Sequence, residues 1–280
     1  MIFRKFLRTI HYKAVFAGGL LFILILLLVR TDDSSSSRSL LAAPFLGDGK
    51  CAVRFAGLHE RALVALTSFP GSGNVWVRHL IEKASGIYTG NCRPDKELFQ
   101  EGFVGEIEHW RKGKTICAKT HGYEDGHIAE FMGAILLVRN PYKALIAERS
   151  RKHAGLHSYP AQESFSGPEW EKHVAWNAIY WERIMSNWLQ SSIPLVVIYY
   201  EDIRQDPVVE LEKMTDFLNV TLSDRVDCVK KDLEGRFHRP GDEDLGYDPF
   251  TPEMHADIDQ RIGRVNAILQ SRGLKPVYTA

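Results

Sequence analysis

The sequence lacks an excess of charge of either sign, and it has little cysteine. Its 280 residues carry 35 basic and 35 acidic side chains, so no overall electric field draws the chain to nucleic acid. The four cysteines form no CxxC pair and have no zinc-site spacing. The composition, 45% hydrophobic and 25% charged, is otherwise that of a globular protein. Any anionic ligand must therefore be held by a local site rather than by net charge.

A lysine is also missing from the most informative segment, residues 64–78, which read VALTSFPGSGNVWVR. The first part is apolar and β-prone, Gly71 and Gly73 follow within a turn, and the rest is compatible with a helix. Strand, glycine turn and helix point consecutive backbone N–H groups at an anion. No lysine follows Gly73, which excludes the phosphate loop of an ATPase or GTPase. An ordinary strand–helix turn is the alternative interpretation.

The N-terminus contains an uninterrupted uncharged run that is dense in Leu and Ile, residues 14–29. Basic residues precede it and Asp32 and Asp33 follow, which predicts a cytosolic N-terminus. We interpret residues 1–13 as a cytoplasmic tail, 14–30 as a transmembrane signal anchor, 31–50 as a flexible Ser-rich stem and 51–280 as a lumenal domain. A cleaved signal peptide is the alternative, with Ala42 and Ala43 near the cut.

A lumenal domain would lie in an oxidising compartment, where cysteines form disulfides. Cys51, Cys92, Cys117 and Cys228 allow two disulfides in three connectivities, which the sequence does not separate. Asn219 begins an Asn-Val-Thr glycosylation sequon, which is meaningful only in that compartment.

Strand and helix patterns alternate along the domain. Apolar strand patterns cover residues 63–68, 115–119, 134–138 and 195–199, and helix patterns cover 142–153, 169–190, 207–218 and 252–269. This order predicts an α/β fold, with a P-loop-like central parallel sheet flanked by helices on both faces and preceded by one transmembrane helix. The glycine loop, Lys119 to His121, Arg139 and Tyr200 each follow a strand, so we expect them to meet at one sheet edge.

These same segments resemble the sulfotransferase family that uses 3′-phosphoadenylyl sulfate. TSFPGSGNVW looks like its 5′-phosphosulfate loop, VRNPYKALIA like its 3′-phosphate segment, KTH like its catalytic-histidine motif, and YYEDIRQDPVVELEKMTDFL like its adenine side. GRFHRPG, at residues 235–241, is a looser match to its C-terminal phosphate loop. The Ser-Phe-Pro-Gly-Ser-Gly-Asn sequence at residues 68–74 is particularly similar to that of the WSC-domain-containing sulfotransferases, which are Golgi proteins associated with sulfation of sialic acid. No cysteine-rich WSC module lies between the stem and the domain.

The resemblance implies a metal-free sulfuryl transfer from 3′-phosphoadenylyl sulfate. Its catalytic residues would be His121, as general base, and Lys119, which would neutralise the sulfuryl oxygens. The donor-binding residues would be Pro70, Gly71, Ser72, Gly73, Asn74, Val75, Trp76, Arg139, Ser150, Tyr200 and Arg239.

Simpler explanations exist for single residues. A histidine such as His121 can lie on a surface loop, and Lys119 can be a solvated strand-end lysine. Arg139 can form a structural salt bridge, and Trp76 can pack in the core. The basic cluster that includes Arg239 can be solvated surface.

Two positions depart from the family pattern. Many members carry a lysine where Gly71 stands, and Lys119, Arg78 or the loop amides are the candidates to replace its charge. The serine that usually follows the arginine by eight residues is Ala147 here, and Ser150 could replace it if the helix starts slightly later.

The predicted function is sulfation of a glycan or glycoprotein hydroxyl, with sialic acid suggested by the subfamily, at the Golgi membrane in a single-pass type II topology. We expect membrane contact through the N-terminal helix and no nucleic-acid partner, and a homodimer stays open. Rival interpretations are a glycosyltransferase, with residues 242–244 as a metal-binding DxD motif, and an inactive nucleotide-binding relative. Acceptor specificity would lie in the irregular segments 86–114 and 154–168.

Overall fold

The computed structural model describes residues 49–154, 161–235 and 245–279. The predicted tail, the anchor and nearly all of the stem lie outside these residues, as do Arg239 and the acidic residues 242–244. Within the described part of the chain, no helix has the length and apolar character that a membrane crossing requires.

The centre of the fold is a five-stranded sheet in the order β2-β3-β1-β4-β5. Every pairing between neighbouring strands is parallel, as predicted. The strands are β1 Val64–Ser68, β2 Gly90–Asn91, β3 Ala118–Thr120, β4 Gly133–Val138 and β5 Leu195–Tyr199. Because parallel strands end at the same edge, the residues that follow them are brought together.

Alternate residues of the central strands enter two different cores. In β1, Ala65 packs into one cluster of buried side chains and Leu66 into the other. In β4, Leu136 and Ile135 divide in the same way. Side chains of a strand point alternately to the two faces, so apolar residues at every position indicate a sheet covered on both sides. The continuous apolar runs of β1 and β4 therefore correspond to a doubly covered sheet.

Helices cover both faces of the sheet, as predicted, and the longest of them correspond to the helix patterns of the sequence. They are α1 Asn74–Ser85, α2 Lys96–Gln100, α3 Asp125–Ile128, α4 Pro141–Ala154, α5 Gly167–Gln190, α6 Tyr200–Gln205, α7 Pro207–Phe217, α8 Val226–Lys230 and α9 Pro252–Ser271. Proline at the first position and a capping side chain start both α7 and α9, where Asp206 and Thr251 accept backbone N–H groups. Three of the four tryptophans of α5 are buried, while Trp176 is exposed.

Several elements differ from the sequence prediction, and the short elements β2, α2, α3 and α8 have no counterpart in it. The strand expected at 115–119 is β3, which begins only at Ala118. Ile116 and Cys117 are buried and hydrogen-bond beside β2, so their apolar character reflects burial outside the regular strand. The helix α6 starts directly at Tyr200, at the end of β5, and the sequence pattern did not predict it.

One disulfide joins Cys51 to Cys228, across 177 residues of sequence. Cys92 and Cys117 are free thiols, and burial raises the pKa of each to about 12. A disulfide in this domain agrees with the prediction. A second disulfide between the remaining two cysteines is not formed.

Candidate functional site

The carboxyl edge of the sheet opens into a cavity of about 1770 Å³. Residues that follow four of the strands meet there, as expected from the parallel order. The predicted site residues that line it are Pro70, Gly71, Gly73, Asn74, Val75, Trp76, Lys119, His121, Arg139 and Tyr200. The volume exceeds the ~300–1,000 Å³ of an ordinary small-ligand pocket, so the cavity has room for two substrates together.

The glycine loop has the backbone conformation that its two glycines permit. Gly71 and Gly73 have φ angles of 81° and 86°, in the left-handed region that other residues avoid. A Cβ at residue 71 would lie 2.6 Å from the Ala144 carbonyl oxygen and 2.8 Å from the Glu148 nitrogen. These atoms belong to the α4 backbone and cannot move aside easily. The lysine that the family resemblance expects at this position is therefore excluded by packing in this loop.

Two polar side chains of the loop, those of Ser72 and Asn74, are buried, although Asn74 also lines the cavity. The Asn74 amide donates hydrogen bonds to the Leu66 carbonyl oxygen (3.2 Å) and to Ser68 Oγ (3.1 Å). Ser72 is buried, and its hydroxyl has no hydrogen-bond partner among the described residues. These two residues shape the loop through their positions, and the loop presents mainly backbone groups to the cavity.

His121 is held in one tautomer by the end of β1. Its Nδ1 lies 2.7 Å from the Ser68 carbonyl oxygen, which can only accept a hydrogen bond. Nδ1 therefore carries the hydrogen, and Nε2 keeps its lone pair. The Tyr180 hydroxyl donates to the His121 carbonyl oxygen at 2.6 Å and fixes the backbone. Burial, and then the charge of Lys119, lower the pKa of His121 to about 4, so the ring is neutral at physiological pH.

Lys119 projects a cation into the same cavity. Its ammonium has no ion-pair partner among the residues that the structure describes. Burial, and then the nearby charge of Arg78, lower its pKa to about 8. A partly buried, uncompensated cation beside a glycine loop is suited to an anionic ligand.

Arg78 is not available to a ligand. Its side chain is fully buried, and its guanidinium pairs with Glu106 at 2.5 Å and donates to Thr89 Oγ1 at 2.8 Å. The Phe103 ring lies 4.4 Å from its Cζ. The sequence left Arg78 as a candidate to replace the missing loop lysine, and the structure shows that this was wrong because its donors are used within the protein.

Arg139 and Tyr200 form one connected wall with the loop. Arg139 donates from Nη1 to the Gly71 carbonyl oxygen at 2.6 Å, and its Cζ lies 4.2 Å from the Tyr200 ring centre. The Tyr200 ring lies against Gly73, where a Cβ would come within 2.4 Å of it. Trp76 meets the same ring edge-on and donates to the Leu233 carbonyl oxygen at 2.8 Å. This wall presents a guanidinium and two aromatic rings.

Ser150 does not reach the cavity. It is fully buried, and its hydroxyl donates to the Ile146 carbonyl oxygen at 3.0 Å within α4. The helix cannot start later, because Asn140 caps it by accepting the Tyr142 N–H at 2.9 Å. Ala147 lines the cavity at the position of the usual serine. The expectation that Ser150 replaces that serine is therefore contradicted by its orientation.

Several lining residues were not predicted from the sequence. Arg151 lies on α4, four residues after Ala147, and the helical spacing could have indicated it. Tyr180 on α5 and the hydrogen-bonded group of Tyr142 and His255 come from distant segments, which no local pattern indicates. No group of three metal-ligating side chains occurs among the described residues.

Comparison with known proteins gives relatives along most of the domain. The WSCD family member CG9164 of Drosophila melanogaster is 35% identical over 205 residues, covering 71% of this chain and 64% of that protein. The WSCD family member GA21586 of Drosophila pseudoobscura pseudoobscura is 34% identical over 212 residues, covering 74% of this chain and 66% of that protein. The chain thus spans about two thirds of the length of these relatives.

No protein-family model matches this chain. Among solved structures, a sulfotransferase from Alicyclobacillus acidocaldarius matches with a TM-score of 0.36 and 14% identity, covering 75% of this chain and 96% of that chain. The WSCD family member AAEL009094 of Aedes aegypti is 33% identical over 214 residues, covering 75% of this chain and 67% of that protein. On the extent of this last similarity, the chain belongs to the WSCD family.

Proposed function

We propose that the protein transfers a sulfuryl group from 3′-phosphoadenylyl sulfate to a hydroxyl group of a glycan, with sialic acid as the first acceptor to test. One observation carries the proposal: His121, with its Nε2 lone pair directed by the Ser68 hydrogen bond, shares one cavity with the glycine loop, Lys119 and Arg139. A base, a phosphate-type loop and two cations are the groups that such a transfer needs.

The wall formed by the loop, Arg139, Tyr200 and Trp76 fits the donor. Gly71 and Gly73 take left-handed backbone conformations, which let the loop turn between β1 and α1 so that its backbone N–H groups can bind phosphate oxygens. Arg139 suits a phosphate because its planar guanidinium can form paired hydrogen bonds. The Trp76 and Tyr200 rings offer apolar surface to a purine. The bound donor supplies an activated sulfuryl group.

His121 accepts the proton of the acceptor hydroxyl at Nε2 as the hydroxyl oxygen bonds to the sulfur. The bond between sulfur and the 5′-phosphate oxygen of the donor breaks, and adenosine 3′,5′-bisphosphate leaves. A base with a pKa of about 4 is weak, but an anionic donor beside the ring stabilises the imidazolium and raises this pKa toward neutrality. Lys119 holds the negative charge that develops on the sulfuryl oxygens, in the role of the lysine that Gly71 excludes. The residues named here require no metal ion for this transfer.

We place this activity at the lumenal side of the Golgi membrane, with residues 14–30 as anchor. The uncharged run of residues 14–29 and the Cys51–Cys228 disulfide support this location, since disulfides persist in oxidising compartments.

The test uses the full chain purified from membranes and radiolabelled 3′-phosphoadenylyl sulfate, with EDTA present. Sialylated and desialylated glycoproteins serve as acceptors. His121→Gln is compared with His173→Gln, because burial lowers the pKa of both histidines to about 4 and both bond to a backbone carbonyl oxygen. Of these two histidines, only His121 lines the cavity.

We expect label on the sialylated acceptor, a loss of about 10²–10⁴-fold with His121→Gln and little change with His173→Gln. If the His121→Gln variant still labels the acceptor, His121 is not the general base, but the protein is still a sulfotransferase. Donor binding without transfer to any acceptor would favour an inactive nucleotide-binding protein. Label that forms only when EDTA is left out of the assay would favour a metal-dependent mechanism.

A further inference from the structure

The helix α4 presents a stripe of residues to the cavity that continues beyond the glycine loop. Lys143, Ala147 and Arg151 line the cavity at four-residue intervals. Gly71 touches the same helix beside Glu148. With a rise of about 1.5 Å per residue, Arg151 lies roughly 6 Å further along the helix than Ala147. Arg151 therefore lies further along α4 from Arg139 than Ala147 does, away from the wall that we assign to the donor.

A buried carboxylate holds the Arg151 guanidinium in place. Nε and Nη2 of Arg151 each donate to a different carboxylate oxygen of Glu148, both at 2.8 Å. The Glu148 side chain is only 2% exposed, whereas that of Arg151 is 44% exposed toward the cavity. Two of the five guanidinium N–H groups are used in this pair, so three remain for a ligand. The paired geometry fixes the direction of those three donors.

The charge of Arg151 reaches the reacting groups. Burial is the main cause of the lowered pKa of both His121 and Lys119, and Arg151 lowers the pKa of each further. Lys119 and Arg151 carry like charges and line the same cavity, and the repulsion from Arg151 disfavours the charged form of Lys119. An oxyanion between them would relieve this repulsion.

We propose that Arg151 and Lys119 form an oxyanion-binding subsite between the glycine loop and the acceptor side of the cavity. The subsite rests on the proposed function, and the oxyanion has two potential sources. It is either the sulfuryl group during transfer or an acidic substituent of the acceptor next to the reacting hydroxyl.

The test compares Arg151→Met with Lys152→Met in the full chain. Lys152 is a matched control, because it also pairs with Glu148 (3.2 Å) and its side chain is similarly exposed at 48%. Its substitution removes the same charge from the same helix. Lys152 does not line the cavity. Binding of inorganic sulfate is measured by calorimetry, and transfer is measured with an acidic and a neutral acceptor.

We expect Arg151→Met to weaken sulfate binding by about 5-fold or more, and Lys152→Met to change it less than about 2-fold. In the transfer assay, a fall in kcat with both acceptors would identify the sulfuryl group as the oxyanion. A rise in KM confined to the acidic acceptor would identify the acceptor substituent. Equal sulfate binding by the two variants would overturn the subsite, whether or not the wild type transfers sulfate. Absence of transfer by the wild type, with a difference in sulfate binding, would overturn only the proposed function.

A second inference concerns a different surface. Asn219-Val220-Thr221 is the one Asn-x-Ser/Thr sequon of the sequence. Asn219 follows the end of α7, is exposed, and has a φ angle of 53°, a left-handed conformation in which a short polar residue is common. Thr221 is exposed as well, and both residues line a small surface hollow of about 430 Å³. The sequon is thus displayed on a helix-ending turn.

We infer that Asn219 carries an N-linked glycan. None of the three sequon residues lines the catalytic cavity, so a glycan would not block it. The Cys51–Cys228 disulfide indicates an oxidising compartment, which is where this modification occurs. In the reaction, Asn219 Nδ2 loses a proton and bonds to the anomeric carbon of an oligosaccharide, whose bond to its lipid pyrophosphate carrier breaks.

The test expresses the full chain in cells with a secretory pathway and follows its mobility after treatment with a peptide N-glycosidase. We expect a single glycan on the wild type and on Thr221→Ser, which keeps the sequon, and none on Thr221→Ala. This pair leaves Asn219 and its backbone conformation unchanged. A wild type with no shift, or a shift that persists in Thr221→Ala, would overturn the inference.

Discussion

Arg78 and Lys119 are two cations near the glycine loop, and they differ in how their charge is balanced. Arg78 is completely buried, and Glu106, Thr89 and the Phe103 ring surround its guanidinium. Lys119 lines the cavity and has no ion-pair partner among the described residues. Arg78 is fully buried and Lys119 partly buried, yet only Arg78 is neutralised by a carboxylate of the protein.

The contrast separates a structural charge, that of Arg78, from a charge that we propose to bind the donor, that of Lys119. A buried cation that is paired and hydrogen-bonded holds elements together, and here Arg78 joins α1 to residues beside β2. A cation left without a partner costs stability unless a ligand compensates it. The pKa of Lys119, lowered mainly by burial to about 8, expresses that cost. The protein therefore retains Lys119 at a stability disadvantage, as expected for a ligand-binding group.

The largest expected effect is on stability. Arg78→Met should lower the free energy of unfolding by about 3–5 kcal/mol, because Glu106 would stay buried without its partner. Glu82 would contribute, since burial raises its pKa and the charge of Arg78 counteracts that rise. Urea denaturation measures this effect. A loss below about 1 kcal/mol would mean that the Arg78 pair is not structural.

The second effect is on catalysis. Lys119→Met should reduce the rate of sulfuryl transfer by about 10²–10³-fold, because a cation facing the developing charge is lost. Its free energy of unfolding should stay equal or increase, since an unpaired cation is removed from a partly buried position. Steady-state kinetics and urea denaturation of the same preparation give both values. Destabilisation similar to that of Arg78→Met would erase the distinction between the two cations.

The third effect is on pH dependence. The pKa of Lys119 is about 8 in the folded state, against about 10.4 in an unfolded chain. Between these values the unfolded chain binds more protons, so the Lys119 contribution makes the free energy of unfolding rise with pH. This rise should be absent in Lys119→Met. In the same wild-type protein, kcat/KM should fall as pH passes about 8, and kcat should fall at higher pH because the bound anionic donor raises the Lys119 pKa.

The smallest expected effect is on stability, at an arginine–glutamate pair on the surface that serves as a reference for the buried Arg78 pair. Arg111 bonds to Glu130, with side chains that are 52% and 31% exposed. Arg111→Met should change the free energy of unfolding by less than about 1 kcal/mol, because solvent screens this pair. A cost close to that of Arg78→Met would show that burial does not set the difference between the two arginine pairs.

The alternation of strands and helices was predictable because local pattern determines it. The apolar run 195–199 coincides with β5, and the predicted helix 207–218 corresponds to Pro207–Phe217. The convergence of Lys119, His121 and Arg139 follows from the rule that parallel strands end at one edge. Residues that follow strands can therefore be placed from the sequence.

The features that were not predicted depend on contacts between distant segments. Gly71 excludes a side chain because α4, more than seventy residues later, lies against it. Arg78 is unavailable because Glu106 reaches it from another segment. Ser150 was assigned to the site by its spacing from Arg139, but its hydroxyl bonds within its own helix. Spacing along a helix gives the face of a residue only when the start of the helix is known.

The disulfide between Cys51 and Cys228 also has a mechanical consequence. All five strands, from Val64 to Tyr199, lie inside the covalent loop that it closes. A pulling force applied before Cys51 and after Cys228 would pass through the sulfur–sulfur bond and bypass the sheet. The part of the cavity lining that precedes Cys228 would be shielded from such a force until the disulfide is reduced, whereas the lining from Leu233 onward lies outside the loop.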